Sequence, residues 1–387
     1  MERNIKLAYL ICFFRYTWFW LGIWVFYYLR YTDYAGIGLI ETSLIIAMII
    51  SEIPTGAIAD LLGKKRSLLI AFILQSIGIG MLAFVPSLIN IMIGVFIAGI
   101  GGSFYSGTFE ALIYDSLKES GKEKSYEKVI AHIGTISLIS PAVCSVIGGF
   151  MYIFWPPLPT VASTLGYLFG FATTLFILEP NIDSEKFTFR NTLLQIKHGI
   201  RELFKSREIA SQTILFLSIG FVVVITDEML NSFLGVEFGF NEKEVGILWS
   251  VIYLLSSFAS QLTPLLRKIL HINLAMIIAG SLTAITLIIS PFIGGYIGGM
   301  SLLFRSSLQV IYLNFVSVGI NSVTESKYRA TTLSVFNMIK NIPYVLTAYF
   351  IGGLSDIYTA KIIAGWIGGC LLLLVIIQLT LRSKNID

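Results

Sequence analysis

Twelve stretches of about 19 or more mainly apolar residues follow one another along the chain, separated by short polar intervals. Such a stretch crosses a hydrocarbon layer of roughly 30 Å as an α-helix, which satisfies its own backbone hydrogen bonds where water is absent. Charged residues make up only 13% of the 387 residues, whereas a soluble domain carries about 25%. We therefore predict an all-α membrane protein with twelve transmembrane helices, near 7–29, 36–59, 67–85, 88–114, 129–154, 157–178, 210–234, 244–266, 272–292, 295–320, 330–353 and 358–381.

The distribution of Lys and Arg predicts the orientation. Of the 27 Lys and Arg residues, 21 fall in intervals on the side of the N-terminus, three on the opposite side and three within the stretches. Cytoplasmic intervals carry the excess of positive charge, so both termini are predicted to be cytoplasmic in a prokaryotic inner or plasma membrane. The net charge of +4 then reflects topology, and no nucleic-acid partner is indicated.

The first stretch is predicted to be a retained helix and not a signal peptide, because it is long, rich in aromatic residues and without a small-residue cleavage site. Cys12, Cys144 and Cys370 all fall inside predicted spans and are interpreted as small packing residues. We expect no disulfide framework, no metal site and no cofactor.

The longest polar interval divides the chain into an N-terminal six-helix half at 1–178, a cytoplasmic linker at 179–209 and a C-terminal six-helix half at 210–387. Within the linker, apolar residues recur at helical spacing, which predicts an amphipathic helix on the inner membrane face or, alternatively, a solvated linker. An offset of 202 residues places Lys65-Arg66 on Arg267-Lys268 and Pro141 on Pro343. Two parallel six-helix repeats are an architecture of secondary transporters, with the substrate path at the repeat interface.

The segment GAIADLLGKKR, residues 56–66, follows the second stretch. It resembles the loop between helices 2 and 3 of the major facilitator superfamily, with Leu61 in place of the usual base. The resemblance implies a gating role for the motif residues Gly56, Asp60, Gly63, Lys64, Lys65 and Arg66.

In that gating role, Asp60 would accept hydrogen bonds from the N-terminus of helix 11, near Arg329, when the cytoplasmic side closes. Gly63 would permit the tight turn, and the three bases would bind the anionic inner leaflet. Alternatively, the bases only determine topology.

Eight charged residues lie within predicted spans: Arg15, Glu41, Glu52, Glu110, Asp227, Glu228, Arg305 and Lys340. Each costs at least about 2.5 kcal/mol to insert, so it is expected to face a partner or a water-filled path. They fall in predicted helices 1, 2, 4, 7, 10 and 11, and not in the central parts of helices 3, 6, 9 and 12. The resemblance implies that helices 1, 4, 7 and 10 line the cavity.

Depth in the membrane suggests pairings. Arg15 and Glu52 lie at similar distances from the inner side, so a buried ion pair is predicted between them, which makes Glu52 structural. Glu110 and Asp227 lack a cation in their own spans and are the preferred candidates for proton coupling. For Glu110, an interior hydrogen bond is the alternative. Glu41 lies nearer the outer surface; we expect a solvated rim residue and count it as a third candidate.

Substrate contacts are predicted on both halves. Arg15 is flanked by Tyr16 and Trp18, which suit stacking on a flat solute, although packing and interfacial anchoring also explain such aromatic residues. Arg305 and Lys340 either bind an anionic substrate or neutralise acids across the repeat interface.

The function predicted from these features is that of a monomeric secondary active transporter, with protons, a small organic or drug-like solute and the lipid bilayer as partners. Drug-efflux members of the superfamily often carry a helix 5 motif like G-P-x-x-G-G, which Ser140-Pro141 and Cys144-Ser145 match in part, while Val95 replaces the usual helix 4 Arg. Proton-coupled export by alternating access is therefore preferred. The alternatives are uptake or exchange of an organic anion through Arg15, Arg305 and Lys340, and a sensor or scaffold that does not transport. An enzyme is not expected, because no catalytic motif is present.

Overall fold

The structure, a computed structural model, describes residues 2–180, 189–325 and 328–383, and every regular element in these ranges is a helix. The α-helices are α1 (Glu2–Arg15), α2 (Trp24–Tyr28), α3 (Tyr34–Leu62), α4 (Lys64–Phe84), α5 (Leu88–Glu119), α6 (Tyr126–Phe154), α7 (Leu158–Leu175), α8 (Phe189–Leu203), α9 (Arg207–Ile225), α10 (Asn231–Glu237), α11 (Glu242–Ile269), α12 (Ile272–Ile288), α13 (Gly295–Val323), α14 (Arg329–Tyr358) and α15 (Ala360–Ser383). A π-helical turn, Thr226–Leu230, joins α9 to α10.

Each of the twelve predicted stretches coincides with one of these helices or with two consecutive ones. Within the described ranges, nine helical segments are long and apolar enough to cross a membrane. The all-helical architecture agrees with the prediction, and the number of twelve spans stays a prediction. The first stretch is absent from the nine because an interruption leaves α1 with 14 residues and α2 with five, each shorter than a bilayer requires.

Four long helices contain a proline in their interior: Pro54 in α3, Pro141 in α6, Pro264 in α11 and Pro343 in α14. Proline removes one backbone N–H donor and bends a helix. These helices correspond to predicted spans 2, 5, 8 and 11, the second and fifth of each half. The recurrence agrees with the internal repeat seen at Pro141 and Pro343.

Tertiary contacts divide the chain into two compact units. Unit 1 comprises Met1–Thr32, Leu39–Thr192 and Glu242–Tyr253, and unit 2 comprises Asp33–Gly38, Leu193–Asn241 and Leu254–Asp387. In unit 1, α4 packs along α5 and α7; in unit 2, α12 packs along α15 and α13. The boundaries predicted at 1–178, 179–209 and 210–387 stay a prediction.

The start of α11 packs closely against α6 within unit 1. The Ser145 hydroxyl donates to the Gly246 carbonyl at 3.0 Å, and a Cβ atom added to Gly246 would lie 2.6 Å from the Ser145 carbonyl oxygen. Small residues permit such backbone approach between membrane helices. Ser145 belongs to the partial helix 5 motif, so a residue of that motif makes this close contact.

The linker forms α8, as the apolar spacing predicts. Of its apolar residues, Leu203 is buried, whereas Leu194 and Ile200 are exposed. The ring of His198 stacks on Tyr328 with 5.0 Å between centroids. The helix therefore packs in part on unit 2, and its contact with the inner membrane face stays a prediction.

Candidate functional site

The first predicted span is not one continuous helix. α1 ends at Arg15, and the chain passes through turns to Ile23 before α2 begins. The interruption leaves backbone N–H groups without a partner in their own helix. One of them, the Phe19 N–H, donates to the Ser163 hydroxyl of α7 at 3.1 Å. Irregular backbone at membrane depth is tolerated where protein or a water-filled cavity surrounds it. The prediction of one helix over 7–29 is therefore wrong, and the interruption follows directly after Arg15.

Aromatic rings surround the Arg15 guanidinium at this interruption. Its central carbon lies 5.4 Å from the ring centroid of Tyr16, 5.3 Å from that of Trp18 and 5.3 Å from that of Tyr105. These distances are within the range of cation–π attraction. We call Arg15, Tyr16, Trp18 and Tyr105 the aromatic cage. Among the described residues, the Arg15 Nε and the Tyr105 hydroxyl are buried without a hydrogen-bond partner, so the cage retains polar groups that a solute can use.

The structure thus brings together the three predicted residues Arg15, Tyr16 and Trp18 and adds Tyr105 from α5. Sequence reasoning missed Tyr105, because an aromatic residue inside an apolar stretch looks like any other packing residue. The one signal was a polar hydroxyl in a predicted cavity-lining helix, five residues before Glu110.

Two acidic residues of unit 1 differ from expectation in their burial. Glu110 is exposed and interacts electrostatically with Tyr16 and Tyr105, so it lies near the aromatic cage but is not buried. Glu41 is only 7% exposed, which makes the expectation of a solvated rim residue wrong. The physical reason is that α3 begins at Tyr34, so Glu41 lies two turns inside the helix, where it interacts electrostatically with the buried Tyr28.

Glu52 is exposed on α3, so the burial predicted for an Arg15–Glu52 ion pair is wrong for the Glu52 side chain. Ion pairs that join described side chains include those of Lys64 with Asp115, Lys122 with Glu2 and Lys205 with Glu202. An interaction of Arg15 with Glu52 stays a prediction.

The predicted gating motif lies at the junction of α3 and α4. Gly63 links the two helices with φ of 89° and ψ of 160°, a conformation that favours glycine. The Glu179 carboxylate accepts hydrogen bonds from the first two N–H groups of α4, those of Lys64 at 2.6 Å and Lys65 at 2.7 Å. An anion at this position complements the helix dipole.

The bases of the motif have different surroundings. Lys64 forms an ion pair with Asp115 of α5, and both side chains are nearly buried, whereas Arg66 is exposed. The contact of Lys65 and Arg66 with the inner leaflet stays a prediction. The surroundings of Gly56 and of the Asp60 side chain lie outside the described part of the structure, and the predicted gating contact of Asp60 stays a prediction.

In unit 2, Asp227 and Glu228 lie in the π-helical turn Thr226–Leu230. Asp227 is exposed although the adjacent Thr226 is 1% exposed, and Gln309 and Lys340 interact with its carboxylate. Glu228 interacts electrostatically with Asp227 and Lys340. We call Asp227, Glu228, Gln309 and Lys340 the acidic cluster. Such π-helical turns are uncommon and occur frequently at functional sites.

Arg305 of α13 lies four residues before Gln309 of this cluster but has a different partner. Its side chain is only 1% exposed, and its Nε donates to the Asn231 side-chain oxygen at 2.8 Å. Among the described residues, both Nη atoms are buried without a hydrogen-bond partner, and no described carboxylate compensates the charge. Sequence reasoning identified Arg305 and Lys340 as cations of the path but missed Asn231 and Gln309.

Comparison with known proteins identifies the family of this chain. The sequence profile of the Major Facilitator Superfamily matches residues 7–348. A Bacillus subtilis (strain 168) protein described as the uncharacterized MFS-type transporter YxaM is 24% identical over 238 residues, which cover 59% of this chain and 57% of that protein. The alignment therefore spans less than two thirds of that relative's length.

Three solved structures share the fold. A mutant form of the nucleoside transporter NupG has a TM-score of 0.84 at 17% identity, with 97% of this chain and 99% of that chain covered. The D-xylose-proton symporter has a TM-score of 0.75 at 14% identity, with 97% of each chain covered. A POT family transporter in complex with 5-aminolevulinic acid has a TM-score of 0.73 at 12% identity, with 99% of this chain and 96% of that chain covered. With the family profile matched along most of its length, the chain belongs to the major facilitator superfamily of membrane transporters.

Proposed function

We propose that this transporter works by alternating access and couples export of a small organic solute to proton entry. The acidic cluster is the observation that carries the proposal. Asp227 is accessible in the interior of a membrane-crossing segment, Arg207–Glu237, and carboxylates at such positions commonly form proton relays.

The charges of the acidic cluster suit the uptake of one proton. Asp227 and Glu228 carry two negative charges when ionised, and Lys340 carries one positive charge. One proton therefore brings the three groups to neutrality. Because the π-helical turn holds both carboxylates, a rearrangement of its backbone would change their access and their distance from Lys340 together. Asp227 is the residue that we assign to proton binding.

The aromatic cage is the solute-binding element that we propose in unit 1. Three rings and a guanidinium suit a flat solute that carries hydrogen-bond acceptors. Discontinuous helices form the substrate sites of many transporters, and α1 ends within this cage. The names of the three similar structures, which concern nucleosides, D-xylose and 5-aminolevulinic acid, support a small organic solute in general and no particular one.

Export is the direction we propose, since the partial helix 5 motif lies in α6 and makes the close contact between Ser145 and Gly246. In the superfamily, this motif is typical of drug-efflux members. Transport measured separately from each face of oriented proteoliposomes tests the direction. Faster movement toward the cytoplasmic face under an inward proton gradient would contradict export.

The test of coupling begins with purified protein and a thermal-shift screen over antibiotics, siderophores, sugars, nucleosides and organic acids. Proteoliposomes that contain a pH-sensitive dye then report proton movement as the stabilising solute is transported. We expect solute counterflow in the wild type and in Asp227→Asn, but proton movement only in the wild type. Glu208→Gln, an exposed carboxyl on α9, is the matched control.

Glu228→Gln, Glu110→Gln and Glu41→Gln are compared in the same assay. Full proton coupling in Asp227→Asn, with coupling lost in one of these three, would transfer the assignment to that residue. Absence of counterflow for every stabilising solute would favour the sensor or scaffold. Movement of solute without any proton dependence in the wild type would contradict the coupling mechanism.

A further inference from the structure

The Arg305 guanidinium has more hydrogen-bonding capacity than the described residues around it use. Asn231 accepts one bond from Nε at 2.8 Å, while Nη1 and Nη2 are buried without a partner. The Asn231 Nδ2 atom is also buried and unpartnered, as is the Ser306 hydroxyl one residue along α13. The buried donors of this region therefore outnumber the acceptors that they contact.

A buried and uncompensated guanidinium is costly. Taking an ion out of water costs several kcal/mol unless an opposite charge and hydrogen bonds compensate it, and buried polar groups in proteins are almost always paired. Asp227 and Glu228 are the nearest acids along the chain to Asn231, but their described interactions are with Lys340 and, for Asp227, Gln309. The Arg305 guanidinium therefore has no anionic partner among the side chains of the described residues. We infer that its partner is an anion from outside the protein.

The geometry points to a carboxylate as that anion. Asn231 occupies Nε, which leaves the edge formed by Nη1 and Nη2, and this edge matches the two oxygens of a carboxylate. We propose that Arg305 and Asn231 bind the carboxylate group of the transported solute, so that the substrates of this transporter are small organic carboxylates. The proposal rests on the transport function proposed above and specifies the substrate class.

The site is closed in this structure, because the Nη atoms have no contact with solvent. Asn231 is the first residue of α10 and directly follows the π-helical turn. A change in that turn moves Asn231 relative to α13 and exposes the nitrogen atoms. Carboxylate binding is therefore expected to depend on the flexibility of residues 226–230.

The experiment compares benzoate with benzamide, a neutral molecule of nearly the same shape. Binding to the full-length protein in detergent is measured by titration calorimetry and thermal shift, at one pH and one chloride concentration. We expect benzoate to bind and benzamide to bind about tenfold more weakly or not at all, as the loss of charge-assisted hydrogen bonds implies. Equal binding of the two molecules would overturn the proposal.

Variants assign the binding to Arg305. Arg305→Met and Asn231→Leu are expected to weaken benzoate binding about tenfold or more, and Arg305→Lys to weaken it less, since a lysine keeps the charge but lacks the second donor. Arg267→Gln, an exposed base on α11, is the matched control. Should the buried variants fail to fold, the wild-type preference for benzoate over benzamide still tests the carboxylate proposal. Unchanged benzoate binding in folded Arg305→Met would exclude this site.

A further arm replaces benzoate with chloride. Equal thermal protection by chloride alone, with benzoate adding none, would identify a halide site and overturn the carboxylate assignment. None of these measurements uses a proton gradient. Failure of proton coupling with intact benzoate binding would therefore contradict the proposed mechanism only, and transport restricted to uncharged solutes would contradict only the carboxylate proposal.

Discussion

Gly63 and Glu179 fit together at the start of α4. A Cβ atom added to Gly63 would lie 3.0 Å from the Glu179 carboxyl carbon and 3.0 Å from Oε1. The absence of a side chain at Gly63 therefore makes room for the carboxylate that accepts hydrogen bonds from the N–H groups of Lys64 and Lys65. Leu178, next to Glu179, is itself held by the buried Asn4. The Asn4 side-chain Nδ2 donates to the Leu178 carbonyl at 2.8 Å, and the Leu178 N–H donates to the Asn4 Oδ1 at 3.0 Å.

Substitution of Gly63 or Glu179 is expected to destabilise the protein for different reasons. Gly63→Ala places a side chain in a backbone region that only glycine adopts readily, at a cost of about 1–3 kcal/mol. Glu179→Gln leaves one acceptor oxygen for two donors and costs about 1 kcal/mol. Thermal unfolding in detergent measures both. Glu123→Gln, at an exposed position of a 3₁₀ turn, is the control, and a loss of equal size there would contradict the capping role.

The existence of most helices was predictable from this sequence because each needs one long apolar stretch. The interruption after Arg15 was not, since 7–29 is uniformly apolar and aromatic, and the partner of the released Phe19 N–H, Ser163, lies 144 residues away. The burial of Glu41 was not predictable from the sequence either, because it too depends on contacts with other parts of the chain. Its distance from the predicted surface was an approximate count of residues, while its burial depends on neighbours such as Tyr28.

The candidate site was predictable at the level of single charges. A charge inside an apolar stretch is conspicuous, so the sequence itself indicates Arg15, Asp227, Arg305 and Lys340. Their uncharged partners, Tyr105, Asn231 and Gln309, are not conspicuous in such a sequence. Which cation contacts which acid depends on helix rotation and packing, so the grouping of Lys340 with Asp227, and of Arg305 with Asn231, required the structure.

The ion pair between Lys64 and Asp115 is expected to contribute a measurable coupling energy. Because the two side chains are only 12% and 13% exposed, removal of one partner leaves a nearly buried charge, and we expect Lys64→Met or Asp115→Asn to cost about 3 kcal/mol. The double variant should cost clearly less than the sum of the two. A double-mutant cycle by thermal unfolding measures this. The exposed pair of Lys122 and Glu2 is the comparison, and strict additivity at Lys64 and Asp115 would contradict the pairing.

The aromatic cage is expected to depend on the guanidinium of Arg15 and not only on its charge. Arg15→Met removes cation–π contacts with Tyr16, Trp18 and Tyr105 and should lower the free energy of unfolding by about 1–2 kcal/mol. Arg15→Lys keeps the charge but loses the flat group that lies over the rings, so it should fall between the wild type and Arg15→Met. Thermal unfolding with tryptophan fluorescence reports both stability and the surroundings of Trp18. Arg66→Met, at an exposed position, should change neither, and a similar loss there would argue against a specific cage.

Two adjacent glycines of α14 allow a close test of packing in unit 2. A Cβ atom on Gly352 would lie 2.1 Å from the Tyr34 carbonyl oxygen, whereas one on Gly353 would lie 3.7 Å from the nearest atom, the Ala35 Cβ. One turn further along, the Asp356 carboxylate accepts hydrogen bonds from the N–H groups of Tyr34 and Ala35 at 3.0 and 2.9 Å. The first turn of α3 is therefore held by backbone contact with α14 and by a carboxylate cap.

Alanine is expected to be destabilising at Gly352 and tolerated at Gly353. Gly352→Ala forces the helices apart and should cost about 1–3 kcal/mol, while Gly353→Ala places its Cβ in ordinary van der Waals contact with Ala35 and should change the free energy of unfolding little. Asp356→Asn retains one acceptor oxygen and should cost about 1 kcal/mol. Thermal unfolding of the three variants in detergent, each compared with the wild type, measures the differences. Gly352 and Gly353 share a helix, a membrane depth and a residue type, and alanine has the higher helix propensity at both. Equal losses at both would therefore contradict a cost specific to the contact with Tyr34.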